Sequence, residues 1–260
     1  MQVGAAADAR GAFPIRRVAG SARSHGRLIA VVSFLRQRGL ALVALATALG
    51  CAPQGATPLP EPPALRPDRI DVDTAGITVM GGTPLFGQPG AVTPGAVVQA
   101  TNLDDTSAPV SVTAGADGAF GITANAAVGN EVRLIPRLGT TRGEPLDVGI
   151  RENDLALVER HGCIELDPGA VLVVAPGTTA LTVRNGCADP ALIGTPRARL
   201  GLSDFSFGEE LPLTLEAGES APLRIDFEPT VSGEREDVLF FEVEVASERR
   251  RYAVTVVHDG

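Results

Sequence analysis

Two antiparallel β-sandwiches in tandem, an all-β architecture behind a leader and a proline-rich tether, is the fold predicted for this 260-residue chain. Three observations predict it. From Ile70 onward apolar and polar residues alternate with period two, the mark of half-buried strands. Gly (30 residues) and Pro (20) punctuate that pattern at roughly the 8–12-residue spacing of short strands and turns. No apolar stripe of helical period runs for a useful length after residue 50.

The first fifty residues stand apart. Residues 39–50, from Gly39 to Gly50, form an apolar run of twelve, preceded by Arg36 and Arg38. A spanning helix needs about 20 apolar residues, whereas this length suits the core of a signal peptide. Ala48-Leu49-Gly50-Cys51 resembles a bacterial lipobox, whose cysteine thiol is lipidated and becomes the new N-terminus. Gly50 and Cys51 fit that pattern, while Ala48 and Leu49 invert its usual Leu-then-small order. The resemblance implies a signal peptide over residues 1–50, lipidation of Cys51, and attachment to a membrane through that lipid. Ala52 in place of Asp implies, by enterobacterial sorting logic, the outer membrane, facing the periplasm or the cell surface. An ordinary secretory signal with Cys51 incidental is the alternative. The first thirty residues are rich in Gly, Ala and Arg and form an overlong n-region, so a start at Val31 or Val32 is expected.

Charge narrows the partners. Seven of the 22 arginines precede Cys51, leaving 15 against 30 carboxylates, about −15, and there is no Lys. Nucleic acid is therefore excluded as a partner, because phosphate contacts need clustered cations. With Cys51 assigned to lipid, Cys163 and Cys187 remain, and in an oxidising compartment such a pair forms a disulfide. It closes a loop worth about 3 kcal/mol in the chain-entropy picture. The rival is a metal site, for which two Cys at this separation with only His161 nearby make a poor set.

Residues 51–69 read as a linker. Six prolines between residues 52 and 68 remove backbone donors and favour extended polyproline conformation, at about 3 Å per residue.

Residues 70–150 read as the first sandwich. Val110, Val112 and Ala114 alternate with Ser111 and Thr113, as do Phe120, Ile122 and Ala124, then Val132 and Leu134. Asp117-Gly118 between two of these runs predicts a hairpin turn. Gln88-Pro-Gly-Ala-Val-Thr-Pro-Gly-Ala-Val-Val98, Thr101-Asn102-Leu103, Ala116-Asp-Gly-Ala-Phe120 and Gly129-Asn-Glu-Val-Arg-Leu134 resemble the turns and strands of a bacterial Ig-like repeat. That resemblance implies an Ig-like sandwich and no ligand chemistry.

Residues 154–260 read as the second sandwich, joined through a short connection near residues 149–154 that implies limited hinge freedom. Leu223, Ile225 and Phe227 face one way; Leu239, Phe241, Val243 and Val245 alternate with Glu242 and Glu244, giving a charged outer face. Tyr252 to Val257 is the last strand, after a turn carrying Glu248 and Arg249–Arg251. Leu181-Thr-Val-Arg-Asn185, Phe205-Ser-Phe207, Leu211-Pro-Leu-Thr-Leu215, Glu216-Ala-Gly-Glu-Ser220, Leu223-Arg-Ile-Asp-Phe-Glu-Pro229 and Val231-Ser-Gly233 resemble the choice-of-anchor D, or abnormal-spindle–hydin, type of Ig-like domain. Arg184-Asn185-Gly186-Cys187 and Glu216-Ala217 depart from its pattern.

Chemistry-bearing residues are few. His161 and Cys163 share a strand face, but a disulfide removes the thiol that a Cys/His pair needs. Asp104, Asp105 and Asp117, on loops read as neighbours, are weak calcium candidates without the shaped loop that calcium requires. Glu209-Glu210 and Glu234/Glu236 read as solvated faces, not a glycosidase dyad, and Arg249–Arg251 as a solvated hairpin tip. No Gly-x-Ser-x-Gly elbow, His-Glu-x-x-His motif or phosphate loop is present. The expectation is a non-enzymatic cell-envelope lipoprotein without a cofactor: a structural or adhesion module with a protein partner. Alternatives are an accessory subunit of an envelope secretion or assembly complex, a carbohydrate-binding module or a cryptic hydrolase. The near-absence of Trp and Tyr disfavours a sugar groove.

Overall fold

The structure, a computed structural model, describes residues 61–73, 82–152, 154–169, 171–201, 204–208, 211–258 and 260. Contacts divide the chain into Met1–Ala56 and Thr57–Gly260, and every described residue lies in the second unit. Cys51 and the leader lie outside the described residues, as do Glu209 and Glu210.

Nine strands come first: β1 (Ile70–Val72), β2 (Thr83–Gly87), β3 (Val97–Asn102), β4 (Val110–Thr113) and β5 (Phe120–Ala124), then β6 (Glu131–Leu138), β7 (Thr141–Arg142), β8 (Leu146–Ile150) and β9 (Leu155–Leu157). They form a β1-β2-β5 sheet and a β4-β3-β6-β8-β9 sheet with β7 on β6. Between these sheets the alternate apolar residues Leu85, Val98, Ile122, Leu134 and Val148 make one core, each 6 % exposed or less.

Ten more strands follow: β10 (Ile164–Asp167), β11 (Val171–Val173), β12 (Gly177–Asn185), β13 (Ala191–Ile193) and β14 (Arg197–Ala198), then β15 (Phe205–Phe207), β16 (Leu213–Leu215), β17 (Ser220–Phe227), β18 (Arg235–Val245) and β19 (Glu248–His258). One sheet runs β10-β12-β17-β15 and the other β11-β19-β18-β13-β16, with β14 on β18. Reading β10, β12, β13, β15, β17, β18 and β19 as A to G, this is the ABED-against-CFG arrangement of an Ig-like sandwich. Its core holds the predicted rows, Leu223, Ile225 and Phe227 against Leu239, Phe241 and Val243, all buried. The chain is all-β, and among the described residues the only helix is one 3₁₀ turn, Pro67–Arg69.

Several local expectations change. The Asp117-Gly118 turn does not close a ladder: β4 pairs with β3 and β5 with β2, so residues 115–119 carry the chain from one sheet to the other. Gly118 is needed there for two reasons. Its φ is +79°, and a Cβ would stand 2.2 Å from the Val92 carbonyl oxygen. Residues 154–157, read as the start of the second sandwich, belong to the first, where β9 pairs with β8 after a turn in which Arg151 N–H donates to the Asp154 carbonyl at 2.9 Å.

Pairing is also not wholly antiparallel, because β11 runs parallel to β19. The chain reaches that position by switching sheets after β10, and Pro168, lacking an N–H, cannot continue the ladder. The last strand begins at Glu248, so Arg249, Arg250 and Arg251 are strand residues and the turn is Ala246-Ser247, both at positive φ. Within the stretch read as linker, Pro63 is already buried and Leu65 bridges Val92.

Candidate functional site

The densest polar chemistry lies where the two sandwiches meet. β6 sends Val132 and Leu134 into the first core, so Arg133 takes the opposite face. It is nonetheless 1 % exposed, with β19 of the second sandwich lying against it. Arg133 Nε donates to Asp147 Oδ1 at 2.7 Å and Nη2 to Oδ2 at 2.8 Å. The same guanidinium reaches across the seam, Nη1 to Thr255 Oγ1 at 2.9 Å and Nη2 to the Ala253 carbonyl at 2.5 Å. Bidentate geometry, with four of the five N–H donors directed at acceptors, is what makes a buried arginine tolerable.

Asp147 also accepts from Arg160 on the connecting segment, and that guanidinium lies 5.6 Å from the Tyr252 ring centroid. Tyr252 Oη donates to the His161 carbonyl at 3.0 Å. Burial raises the Tyr252 pKa, opposed by the nearby charges of Arg160 and Arg250.

A second contact group flanks the first. Arg251 donates to Asp104 Oδ1 at 2.8 Å and Glu131 Oε2 at 2.5 Å, and lies 5.2 Å from the Phe240 ring centroid. Beneath it Leu103 packs with Val238, Phe240 and Ala253 in a small apolar cluster of its own. Arg199 donates to the Asn102 carbonyl at 2.7 Å and to the Ser107 carbonyl. Burial lowers the Arg199 pKa, against the pull of Asp237 and Asp105. Asp237 is 3 % exposed and accepts from the N–H groups of Val238 and Leu200. Burial raises its pKa, opposed by those two bonds and by Arg199. At the other flank Gln99 Nε2 donates to Glu236 at 2.7 Å, Arg137 pairs with Glu236, and Arg142 with Glu234 at 3.2 Å.

Each described residue singled out from sequence has a place. Cys163 and Cys187 are bonded, with Cα atoms 4.9 Å apart, so neither thiol is free for nucleophilic or metal chemistry. His161 Nε2 lies 3.3 Å from the Val243 carbonyl. The three aspartates do not converge. Asp117 sits at the Phe120 end of β5 and accepts from Ala119 N–H at 3.0 Å. Asp104 and Asp105 sit by the other end, beside Asn125, where they bind Glu131 N–H, Arg251, Ser107 and Asn102. The loops read as neighbours are thus separated by the length of β5, which corrects the calcium reading. Among the described residues no cluster of three His, Cys, Asp or Glu is placed to hold a metal ion.

Glu234 and Glu236 are ion-pair partners of Arg137 and Arg142, not an opposed dyad. Of the arginine run, Arg249 and Arg250 pair with Glu244 and Glu248 near the tip, whereas Arg251 is part of the seam. Within Arg184-Asn185-Gly186-Cys187, buried Asn185 donates to the carbonyls of Asp189, Leu215 and Glu216 and accepts from Cys187 N–H, tying the loop after β12 to the turn after β16.

No protein-family model and no curated protein matches this chain. Among solved structures it is similar to the ASH/PapD-like domain 7 of human CEP192, at 13 % identity over 40 % of this chain and 93 % of that one, TM-score 0.31. It is also similar to the VesB protease of Vibrio cholerae, at 12 % identity over 64 % and 62 %, TM-score 0.33. A third similarity is to a protein of unknown function from Porphyromonas gingivalis W83, at 13 % over 77 % and 100 %, TM-score 0.28. Likenesses this distant leave function to be argued from the chain's own residues.

Proposed function

We propose that this chain is a non-enzymatic interaction module of a bacterial cell envelope, lipid-anchored through Cys51 and carried on a proline-rich stalk. In this reading the first sandwich is of the bacterial Ig-like type and the second of the choice-of-anchor D type. The outer membrane is the expected site, and the partner is a protein. The observation that carries the proposal is the seam: Arg133 hydrogen-bonds on both sides of it and ties the two sandwiches together. A joined pair on a stalk presents loops and sheet edges to a partner, which suits binding or spacing and needs no catalytic centre.

The second reading, an accessory subunit of an assembly machine, is favoured by the edge position of β11, which among the described residues pairs only with β19. Such an edge receives an extended partner strand.

The test is the intact mass of detergent-extracted protein from its native membrane, before and after reduction with alkylation. The expected product begins at Cys51 with acyl mass added, and its other two thiols alkylate only after reduction. An unlipidated chain that retains its leader overturns the anchor. One stoichiometric partner recovered from crosslinked membranes supports the accessory-subunit reading over a general adhesin.

A further inference from the structure

The last residues of the stretch read as stalk are docked on the first sandwich by few and specific contacts. Pro63 is buried with its carbonyl against Gly143, so close that a Cβ on Gly143 would stand 1.7 Å from the Pro63 oxygen. Only glycine admits the chain there. Ala64 N–H donates to Thr93 Oγ1 at 3.3 Å, Leu65 forms an isolated bridge with Val92, and Arg66 N–H donates to the Ala91 carbonyl at 2.8 Å. Behind them Arg69 is held at both ends, its carbonyl accepting from Gln88 N–H at 2.9 Å and its side chain donating to the Pro89 carbonyl at 2.5 Å. Pro62 then lines a groove of about 490 Å³ together with Pro145 of the first sandwich and Pro168, Val171 and Val173 of the second. The chain therefore enters the body at the flank of the seam.

We propose that residues 62–69 are a releasable strap, which sets the exit of the stalk at the seam when docked and lengthens the stalk under tension before either sandwich opens. The contacts rank the events. The strap is held by one isolated bridge, a few single bonds, buried Pro63 and the packing of Leu65 at the edge of the core, whereas the strands behind it are held by continuous ladders over that core. Release adds on the order of 25 Å of extended chain and removes the Pro62 wall from the groove beside β11. The inference rests on reading residues 51–69 as a stalk. It does not depend on lipid at Cys51, so the two readings fail separately.

The experiment stretches the full chain between handles at its two ends in an optical trap. A short early extension is expected before the large rupture steps, and Gly143→Ala lowers its force or abolishes it while the large steps persist. Leu65→Ala, which loosens the strap from its own side, is expected to act alike and guards against misfolding of the glycine variant. Amide exchange at Arg66 should rise at least tenfold in both variants. Absence of an early step in the parent chain, or a step and an Arg66 exchange rate unmoved by both variants, overturns the proposal.

Discussion

Arg133 and Asp147 stand directly opposite each other in the β6–β8 ladder, and both side chains are buried, at 1 % and 6 % exposure. Two parallel N–H···O bonds join them, and two further donors of the arginine cross to the second sandwich. The pair therefore belongs at once to one sheet and to the seam.

Breaking this pair should cost more than replacing it. Asp147→Ala leaves a buried, uncompensated guanidinium, a loss of about 3–5 kcal/mol, whereas Arg133→Met combined with Asp147→Leu removes both charges at a lower net cost. Urea denaturation of the three proteins measures this. A double variant less stable than the single one refutes the account.

Neighbouring arginines on β19 should separate sharply. Arg251→Ala removes two carboxylate bonds and a stacking contact across the seam, a loss of about 1.5–3 kcal/mol. Arg249, at the exposed end of the same strand, should give no measurable change on replacement by Ala. Equal effects would return the whole run to the solvated tip that its composition suggests.

The disulfide closes a sequence separation of 24 residues and pins the start of β10 beside the Asn185 network. Replacing both Cys163 and Cys187 by Ser should lower stability by about 3 kcal/mol in the chain-entropy account. Thermal melts of oxidised parent and variant, compared with the reduced parent, check it. A variant as stable as the oxidised parent removes the assigned role.

Period two made the core rows legible, since Leu223, Ile225 and Phe227 alternate with Arg224 and Asp226, Phe241 and Val243 flank Glu242, and all five apolar residues are buried. The seam was harder to read, because alternation reports one buried face and the seam buries the other. Its trace in the sequence is the failure of alternation: Val238-Leu-Phe-Phe241 and Ala253-Val-Thr-Val-Val257 are continuous buried runs. A buried Arg133 leaves no such trace, as its partners come from residues 147, 253 and 255 and a charged residue between Val132 and Leu134 reads as solvent-facing. Asp117-Gly118 carried a correct turn signal, but turn chemistry does not state which sheet the next strand joins. Asp104, Asp105 and Asp117 failed as a set for the same reason, since proximity in sequence placed them on one side of the sandwich and the sheet crossing put them on two.

The β18–β19 turn invites improvement. Ala246 and Ser247 have φ of 50° and 68°, the region that Asn and Gly occupy at least cost. Ala246→Asn with Ser247→Gly should stabilise the protein by about 1 kcal/mol. A denaturation midpoint that fails to rise would mean that the turn is not left-handed in solution.

Asp237 supplies the pH dependence. Burial raises its pKa above the ordinary carboxylate value, against the opposing bonds from Val238 and Leu200 and the charge of Arg199. The fold thus favours the protonated form. The contribution is fully present below the unfolded pKa and is lost as pH rises through the folded one. Asp237→Asn carries no charge at any pH and can still accept through its carbonyl oxygen, so the variant escapes that loss. The stability of the parent relative to Asp237→Asn should therefore be greatest in acid and decline toward neutral pH. Urea midpoints of the two proteins from acid to neutral pH read this directly. Parallel curves, or a parent that gains on the variant as pH rises, would show that the two backbone bonds and Arg199 outweigh the cost of burying the charge.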